Sequence, residues 1–200
     1  MPAPGGFAAL YMLSRKARRA GIHATARLGS RFRGNDDWGF AFSALSDGCM
    51  FAIPIRPAID SDAKVIAALI QRTLRVSNAA DYSVAEISRL FASFSAGGML
   101  ERIQRQDVFV AEIDGEIVAT VGYAGGELWA LFVVPERQRL GLGSMLVAHI
   151  EAHARQRGDA QLALSASLTG VEFYERLGYH RIRALTHRSG ATYAMVKALD

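Results

Sequence analysis

The most informative residues lie at positions 131–144, where an apolar strand-like run ends at Pro135 and a Gly-Leu-Gly sequence opens a long amphipathic segment. Backbone N–H groups at the start of a helix are unpaired, and glycines let an anion approach them closely. Arg137 and Arg139 add positive charge just before the glycines at residues 141–143. The pattern therefore predicts a loop that binds a diphosphate group through main-chain amides.

Neither of two well-known nucleotide motifs describes this loop. A P-loop requires Gly-Lys followed by Ser or Thr, and residues 131–144 contain no lysine. The dinucleotide fingerprint G-x-G-x-x-G requires a third glycine where this chain has Leu146. The predicted phosphate-binding loop therefore matches neither of these two nucleotide-binding motifs.

The order Gln138-x-x-Gly141-x-Gly143, directly after a strand that ends in Val-x-Pro, resembles the signature of the GNAT family of acetyl-CoA-dependent N-acetyltransferases. A second segment, EFYERLGY at residues 172–179, is similar to that family's FYxxxGF motif. The resemblance extends in element order over about residues 53–198. Together the two motifs make it specific.

The resemblance implies an α/β protein with the GNAT fold, a mixed and mostly antiparallel central sheet flanked by helices. It implies an acyltransferase that moves an acetyl group from acetyl-CoA to a primary amine of a small molecule or protein by direct attack on the thioester. Two strands would splay at the acetyl-CoA site, where backbone groups of Leu131, Phe132 and Val133 face the pantetheine. The diphosphate would be held by the amides of Arg139, Leu140, Gly141, Leu142, Gly143 and Ser144. No metal ion is expected.

Two catalytic roles also follow from the resemblance. Tyr174 stands at the tyrosine of FYxxxGF, which in many relatives gives a proton to the coenzyme A thiolate; packing beside Phe173 is the alternative. Glu127 lies eleven residues before Gln138, the spacing of the base in the histone-acetylating branch. A base is needed because an alkyl ammonium with a pKa of ~10.4 is charged at neutral pH.

Other residues have more than one interpretation. Many relatives carry an asparagine that touches the cofactor seven residues before the motif tyrosine; here the residue is Ser167, whose hydroxyl can still form a hydrogen bond. His149 and His153 share a helix face, but Glu151 is one position off the H-E-x-x-H zinc pattern, so packing or surface exposure is expected. If Glu127 is not the base, the substitutes are Glu112 and Glu86. Three aromatic residues either line an acceptor pocket or pack in the core: Tyr82, Trp129 and Tyr123.

The elements that must position these residues follow from hydrophobic periodicity and turn signals. A helix capped by Asp60 or Ser61 carries Val65 on its apolar side, and a second begins at Ser83, carries Val84 on its apolar side and ends at residues 97–98. An Asp-Gly turn joins strands 107–113 and 116–122. The remaining predictions are strands at 51–58, 127–134, 161–165, 179–185 and 192–198, and helices at 143–156 and 169–177.

Composition narrows the class of protein. The 200-residue chain is 50% hydrophobic and 21% charged, which excludes a wholly disordered protein. Its net charge of +4 arises in residues 1–48, where seven side chains are basic and three acidic, so the remainder is neutral. A nucleic-acid-binding domain would itself carry the basic excess, so no nucleic acid is expected as a partner. No run approaches the roughly 18 apolar residues of a membrane span, so no membrane is expected either, and the single cysteine, Cys49, favours a cytoplasmic protein.

Residues 1–49 are expected to form an irregular or disordered extension before a GNAT domain at residues 50–200. Residues 20–40 resemble a translated bacterial intergenic repeat, which would make Met1 an upstream mis-start and Met50 the authentic start. A basic arm that binds a partner is the alternative.

The leading hypothesis is thus an N-acetyltransferase, and a homodimer is common among such enzymes. A non-catalytic acetyl-CoA-binding regulatory module on the same fold is the competing hypothesis. Nucleic-acid binding through the extension is a third, and it would disappear when residues 1–49 are deleted.

Overall fold

The computed structural model of the chain describes residues 41–42, 52–77, 82–187 and 190–200. The predictions for residues 1–49 lie outside these ranges, apart from the two-residue strand β1 (Ala41–Phe42). β1 pairs with β2 (Ala52–Ile53), and Pro54 separates β2 from β3 (Ile55–Pro57), so the strand predicted at residues 51–58 is interrupted.

The described residues then form five α-helices and six further strands. The helices are α1 (Ala63–Ser77), α2 (Val84–Ser93), α3 (Ala96–Arg105), α4 (Leu142–Gln156) and α5 (Val171–Arg176). The strands are β4 (Asp107–Ile113), β5 (Glu116–Ala124), β6 (Glu127–Val133), β7 (Gln161–Ser167), β8 (His180–His187) and β9 (Gly190–Ala198).

Seven strands build the central sheet in the order β3-β4-β5-β6-β7-β9-β8. Every neighbouring pair is antiparallel except β6 and β7, which run parallel and are connected through α4. The hairpin between β4 and β5 turns at Asp114 and Gly115, both with positive φ angles, as the Asp-Gly sequence predicts. This mixed, mostly antiparallel sheet flanked by helices confirms the predicted fold class.

A hydrophobic cluster covers each face of the sheet. On the back face, the side of α4 and α5, Leu146 and Ile150 are fully buried against the strands. On the front face, the side of α1 and α3, Ile66, Ile70 and Met99 are fully buried. Leu128 of β6 belongs to the back cluster, and the alternation of side chains along a strand then places its neighbours on the front.

The predicted end of the second helix is wrong. α2 ends at Ser93, and the glycines at residues 97–98 lie inside α3, which the sequence did not predict. The Ser95 hydroxyl caps α3 by accepting from the amide of Gly98 (3.2 Å). Arg102 Nη1 donates to the carbonyls of Ser93 (2.8 Å) and Gly98 (3.0 Å), so the break between the helices has its polar groups satisfied.

Two valines also differ from the prediction. Val65 and Val84 were expected on the inner faces of their helices, but they are 50% and 83% exposed. Val84 is the first residue of α2, and Val65 points outward from α1 although Ala63 before it and Ile66 after it are buried. By contrast, the capping box predicted between Ser83 and Glu86 at the start of α2 is confirmed, with a 2.7 Å bond from the Ser83 amide to the Glu86 carboxylate.

Candidate active site

An opening between β6 and β7 is the first feature of the site. In the described part of the sheet the two strands pair only over Glu127 and Leu128 of β6, although β6 continues to Val133. The register with β5 shifts just beyond, and Ala130 adopts a left-handed conformation with φ 48°. Such a bulge bends β6 away from β7 and leaves the backbone edge of its second half facing the opening.

The loop after β6 turns main-chain amides toward the same end of the sheet. Arg139 and Gly141 both have left-handed φ angles, 63° and 85°, and Gly141 is the N-cap of α4. The first bond of the helix runs from the amide of Met145 to the carbonyl of Gly141 (3.0 Å). The amides of residues 142–144 therefore precede the helical ladder and are donors for an anion at the positive end of the helix dipole.

Gln138, which the family signature singles out, is a bracing residue in this structure. Its Nε2 donates to the carbonyl of Val133 (3.1 Å) and to the hydroxyl of Ser77 (3.0 Å). These bonds connect the loop to the end of β6 and to the last residue of α1. Glutamine suits this position because its side-chain amide reaches both acceptors, which lie far apart in the sequence.

The side chains of the three predicted pantetheine-contacting residues pack in the core. Leu131 and Val133 pack against the back cluster, and Phe132 packs against the front cluster, with its ring 5.7 Å from that of Phe94. The backbone of this segment is thus the part that is left to face a ligand, and its contact with pantetheine stays a prediction.

Gly143 has a packing role as well as its place in the loop. A Cβ at Gly143 would lie 3.2 Å from Cζ of Phe173, so the missing side chain lets α5 approach the first turn of α4. Leu142 is buried beside it, whereas Arg139 and Leu140 are exposed at the rim of the loop. The motif around Phe173 and the glycine loop are therefore in direct contact.

Glu127 has the environment of a general base. It begins β6, directly after the Gly125-Gly126 turn, and burial raises the pKa of its carboxyl to about 7. A carboxyl with such a pKa is partly ionised at neutral pH and can accept a proton.

The substitute bases are occupied elsewhere. Glu112 accepts two hydrogen bonds from the guanidinium of Arg56, at 3.1 and 2.5 Å. Glu86 caps α2, and its bonds to Ser83 lower the pKa of its carboxyl. Both carboxylates are therefore engaged in structural contacts, which favours Glu127 among the three.

Tyr174 is buried in α5, with its ring edge-on to those of Phe173 (5.0 Å) and Tyr179 (5.7 Å). Its carbonyl accepts from the amides of Leu177 and Tyr179, both at 3.0 Å, which closes the turn of the FYxxxGF-like motif. Burial raises the pKa of the Tyr174 hydroxyl, so this group remains protonated and is able to donate.

Ser167 uses its hydroxyl within the chain. It accepts a hydrogen bond from the amide of Gly170 (3.2 Å) and contacts the hydroxyl of Thr169 (3.3 Å). The serine therefore caps the 3-10 turn that leads into α5. This local role accounts for a small hydroxyl residue where many relatives have asparagine.

The three aromatic candidates for an acceptor pocket lie in different places. Tyr123 faces the back, where its hydroxyl donates to Asp159 and its ring lies 5.1 Å from that of His153, so it is a packing residue. Trp129 faces the front, on the same side of β6 as Glu127. Tyr82, before α2, packs so closely on Gly190 that any Cβ there would overlap its ring.

The histidine pair of α4 packs as expected. His153 Nε2 lies 3.0 Å from the Asp107 carboxylate, and His149 packs edge-on against the ring of Phe109, 4.6 Å away. Within the described ranges, no three histidine, cysteine or acidic side chains gather as a metal site would require. None of the helices in those ranges is long and apolar enough to cross a membrane.

Comparison with known proteins identifies the family. Residues 78–198, more than half of the chain, match the acetyltransferase (GNAT) domain family. The chain is 26% identical over 131 residues to the Escherichia coli K12 protein named uncharacterized N-acetyltransferase YafP, an alignment that covers 66% of this chain and 83% of YafP.

Solved structures share the same fold. The GCN5-related N-acetyltransferase of Rhodopseudomonas palustris superposes with a TM-score of 0.70 at 24% identity, over 77% of this chain and all of that one. The PaiA N-acetyltransferase of Thermoplasma acidophilum, solved with coenzyme A, gives 0.66 at 18% identity, over 74% of this chain and 99% of that one. The chain therefore belongs to the GNAT acetyltransferase family.

Proposed function

We propose that this GNAT protein transfers the acetyl group of acetyl-CoA to a primary amine of a small molecule or protein. The observation that carries the proposal is the splay between β6 and β7 directly before a loop whose amides at residues 142–144 precede the first helical hydrogen bond. A thioester with a nucleotide tail needs both features, a slot for the extended arm and a cradle for the diphosphate.

The backbone of the chain supplies the binding groups. Beyond Leu128, β6 does not pair with β7 in the described part of the sheet, so backbone groups of residues 129–133 other than the Val133 carbonyl are available to the pantetheine amides. The amides of residues 139–144 would hold the diphosphate, with Arg137 and Arg139 adding charge at the rim. The related PaiA structure was solved with coenzyme A, which supports this assignment.

Glu127 is assigned as the general base. The reacting ammonium gives a proton to the Glu127 carboxylate, and the free amine then attacks the thioester carbon. A new N–C bond forms, the C–S bond breaks, and the nitrogen loses its second proton to solvent. Glu127 then releases the proton it accepted to solvent, which restores the carboxylate. Support comes from the half-buried position and raised pKa of this carboxyl, together with the engagement of Glu112 and Glu86 elsewhere.

Tyr174 is assigned as the proton donor to the departing thiolate. The hydroxyl proton passes to sulfur, and the phenolate is then reprotonated from solvent. The hydroxyl carries its proton before the reaction, and the contact of Phe173 with Gly143 brings α5 to the glycine loop. The position of α5 supports the assignment, whereas the raised pKa ensures only that the proton is present.

A thiol-release assay tests the function. The full chain is incubated with acetyl-CoA and a panel of small amines and amine-bearing peptides, with mass spectrometry of each acceptor. Amine-dependent thiol release and an acceptor heavier by one acetyl group are expected. Coenzyme A binding without transfer to any member of the panel would contradict the proposal and favour a regulatory module.

A further inference from the structure

Trp129 carries a feature that the mechanism above does not use. Its indole Nε1–H is buried and has no hydrogen-bond acceptor among the described residues. Buried donors in folded proteins are nearly always paired, and an unpaired one calls for an explanation. The indole lies in the layer between the front face of the sheet and the helices, not in the tightly packed back cluster.

The indole ring is fixed in that layer. On the sheet side it lies directly on Gly122 of β5, where any Cβ would clash with the six-membered ring. On the helix side the guanidinium of Arg102 stands 5.7 Å from the ring centre. Because Arg102 is itself bonded to the carbonyls of Ser93 and Gly98, the ring is clamped between β5 and α3.

Trp129 is also a close neighbour of the proposed base. In the β5–β6 ladder Trp129 pairs with Gly122 and Glu127 pairs with Ala124, so both larger side chains stand on the front face opposite small residues. Side chains two residues apart on one face of a strand are separated by about 7 Å. An amine held at Glu127 therefore brings the atoms on its next carbon within reach of the indole.

We propose that Trp129 is a specificity-determining residue whose Nε1–H donates a hydrogen bond to a carbonyl oxygen next to the amine-bearing carbon of the acceptor. The inference rests on the proposed function and names its acceptor class, α-amino carbonyl compounds such as an aminoacyl amide or the first residue of a peptide. A carbonyl is favoured over a carboxylate because a second anion on this face would be repelled by Glu127. Plain alkylamines leave the donor unpaired.

The test compares two amines of similar shape, glycinamide and isobutylamine, with wild type and Trp129→Phe. Phenylalanine keeps an aromatic ring at this position but removes the N–H together with part of the indole, so the difference between the two amines, rather than either rate alone, reports the hydrogen bond. For glycinamide we expect kcat/KM to fall roughly ten-fold in the variant, the effect of one buried hydrogen bond, and for isobutylamine to change less than two-fold. Coenzyme A affinity should stay the same, and the melting temperature should fall modestly because the smaller ring fills less of the space between β5 and α3.

A second measurement does not depend on the variant folding well. The indole N–H resonance of Trp129 in the wild-type coenzyme A complex should shift when glycinamide is added and stay in place with isobutylamine. Equal losses for both amines in Trp129→Phe, or an indole resonance insensitive to both, would overturn the role of Trp129. Absence of thiol release with every amine instead contradicts the proposed function, so the two failures are distinguishable.

Discussion

Glu127 on β6 and Tyr174 on α5 are two buried acids in different parts of the molecule, and burial acts on both in the same direction. It raises the pKa of each because the charged form loses hydration. For Glu127 the result is a pKa of about 7, where the carboxyl exchanges protons at neutral pH. For Tyr174 the result is a hydroxyl that stays protonated.

One physical effect thus leaves a carboxyl that titrates near neutral pH at one position and a hydroxyl that keeps its proton at the other, in keeping with the proposed roles of acceptor and donor. The difference lies in the starting pKa of the side chain, low for a carboxyl and high for a phenol. Residue type therefore decides the role, and the fold supplies the burial. Two predictions test this comparison directly, and two more concern the glycine loop and a histidine on which burial acts in the opposite direction.

Removing each group should have unequal effects on rate. Glu127→Gln should lower kcat by 10²-fold or more, the usual range for a general base, because glutamine cannot accept the proton. Tyr174→Phe should lower kcat by roughly ten-fold, because solvent can protonate a thiolate more readily than it can replace a buried base. Steady-state thiol release measures both values.

Glu116→Gln is the matched control, since Glu116 is exposed at the start of β5. Its turnover should equal that of wild type. If Tyr174→Phe keeps full turnover where chemistry limits the rate, the assignment of the tyrosine as donor is wrong.

The pH profile should separate the two groups. Below about pH 7 the Glu127 carboxyl is protonated and cannot accept a proton, so kcat/KM should fall by about ten-fold per pH unit as pH decreases. Wild type and both variants are assayed with the same amine, so the titration of the amine contributes equally to every profile. The further fall in kcat/KM at low pH should be lost in Glu127→Gln and kept in Tyr174→Phe. A fall of the same size in Glu127→Gln would belong to another group.

Two glycines allow the loop to be tested apart from general stability. Gly141 and Gly115 both have left-handed φ angles, 85° and 78°, so alanine at either position should cost about 1 kcal/mol of folding free energy. Only Gly141→Ala should also weaken coenzyme A binding, by roughly ten-fold, because of the two turns only the one at Gly141 is proposed to hold the diphosphate. Calorimetric titration measures the coenzyme A affinity, and thermal unfolding measures the loss of stability. Equal coenzyme A affinity in the two variants would contradict the assignment of the loop as the diphosphate site.

The smallest expected effect concerns a histidine, which is charged when protonated, whereas Glu127 and Tyr174 are charged when deprotonated. Burial and the nearby His153 lower the pKa of His149, since the charged imidazolium is the disfavoured form. The unfolded chain therefore binds this proton more readily, and stability should fall as pH drops below about 6.5, by at most ~1.4 kcal/mol per pH unit. His149→Phe should flatten that part of the stability curve in urea titrations; an unchanged slope would contradict it.

Rules that involve only neighbouring residues were enough to predict the parts of the structure that are continuous in sequence. The Asp-Gly hairpin, the capping box at Ser83 and the glycine loop before α4 follow from turn and capping chemistry, which needs only neighbouring residues. The GNAT resemblance added the parallel pair of strands and the splay, because a bulge at Ala130 has no signal in residue type.

The remaining features depend on contacts between distant segments. The sequence does not predict α3 because the glycines at residues 97–98 are typical of a helix end. The Arg102 hydrogen bonds that satisfy the backbone carbonyls at the break between α2 and α3 depend on the tertiary structure. The bracing role of Gln138, through Ser77 of α1, has the same origin. The unpaired indole of Trp129 and the burial of Glu127 likewise depend on which helices cover the front face.

The most direct test of the account is a calorimetric titration of the folded full-length protein with coenzyme A. We expect one-to-one binding that weakens with added salt, because the loop amides and nearby arginines contact a charged diphosphate. Pantetheine, which lacks the nucleotide, should bind more weakly under the same conditions. Folded protein that produces no heat of binding with coenzyme A would contradict the assignment of the loop, and the catalytic roles assigned here would fall with it.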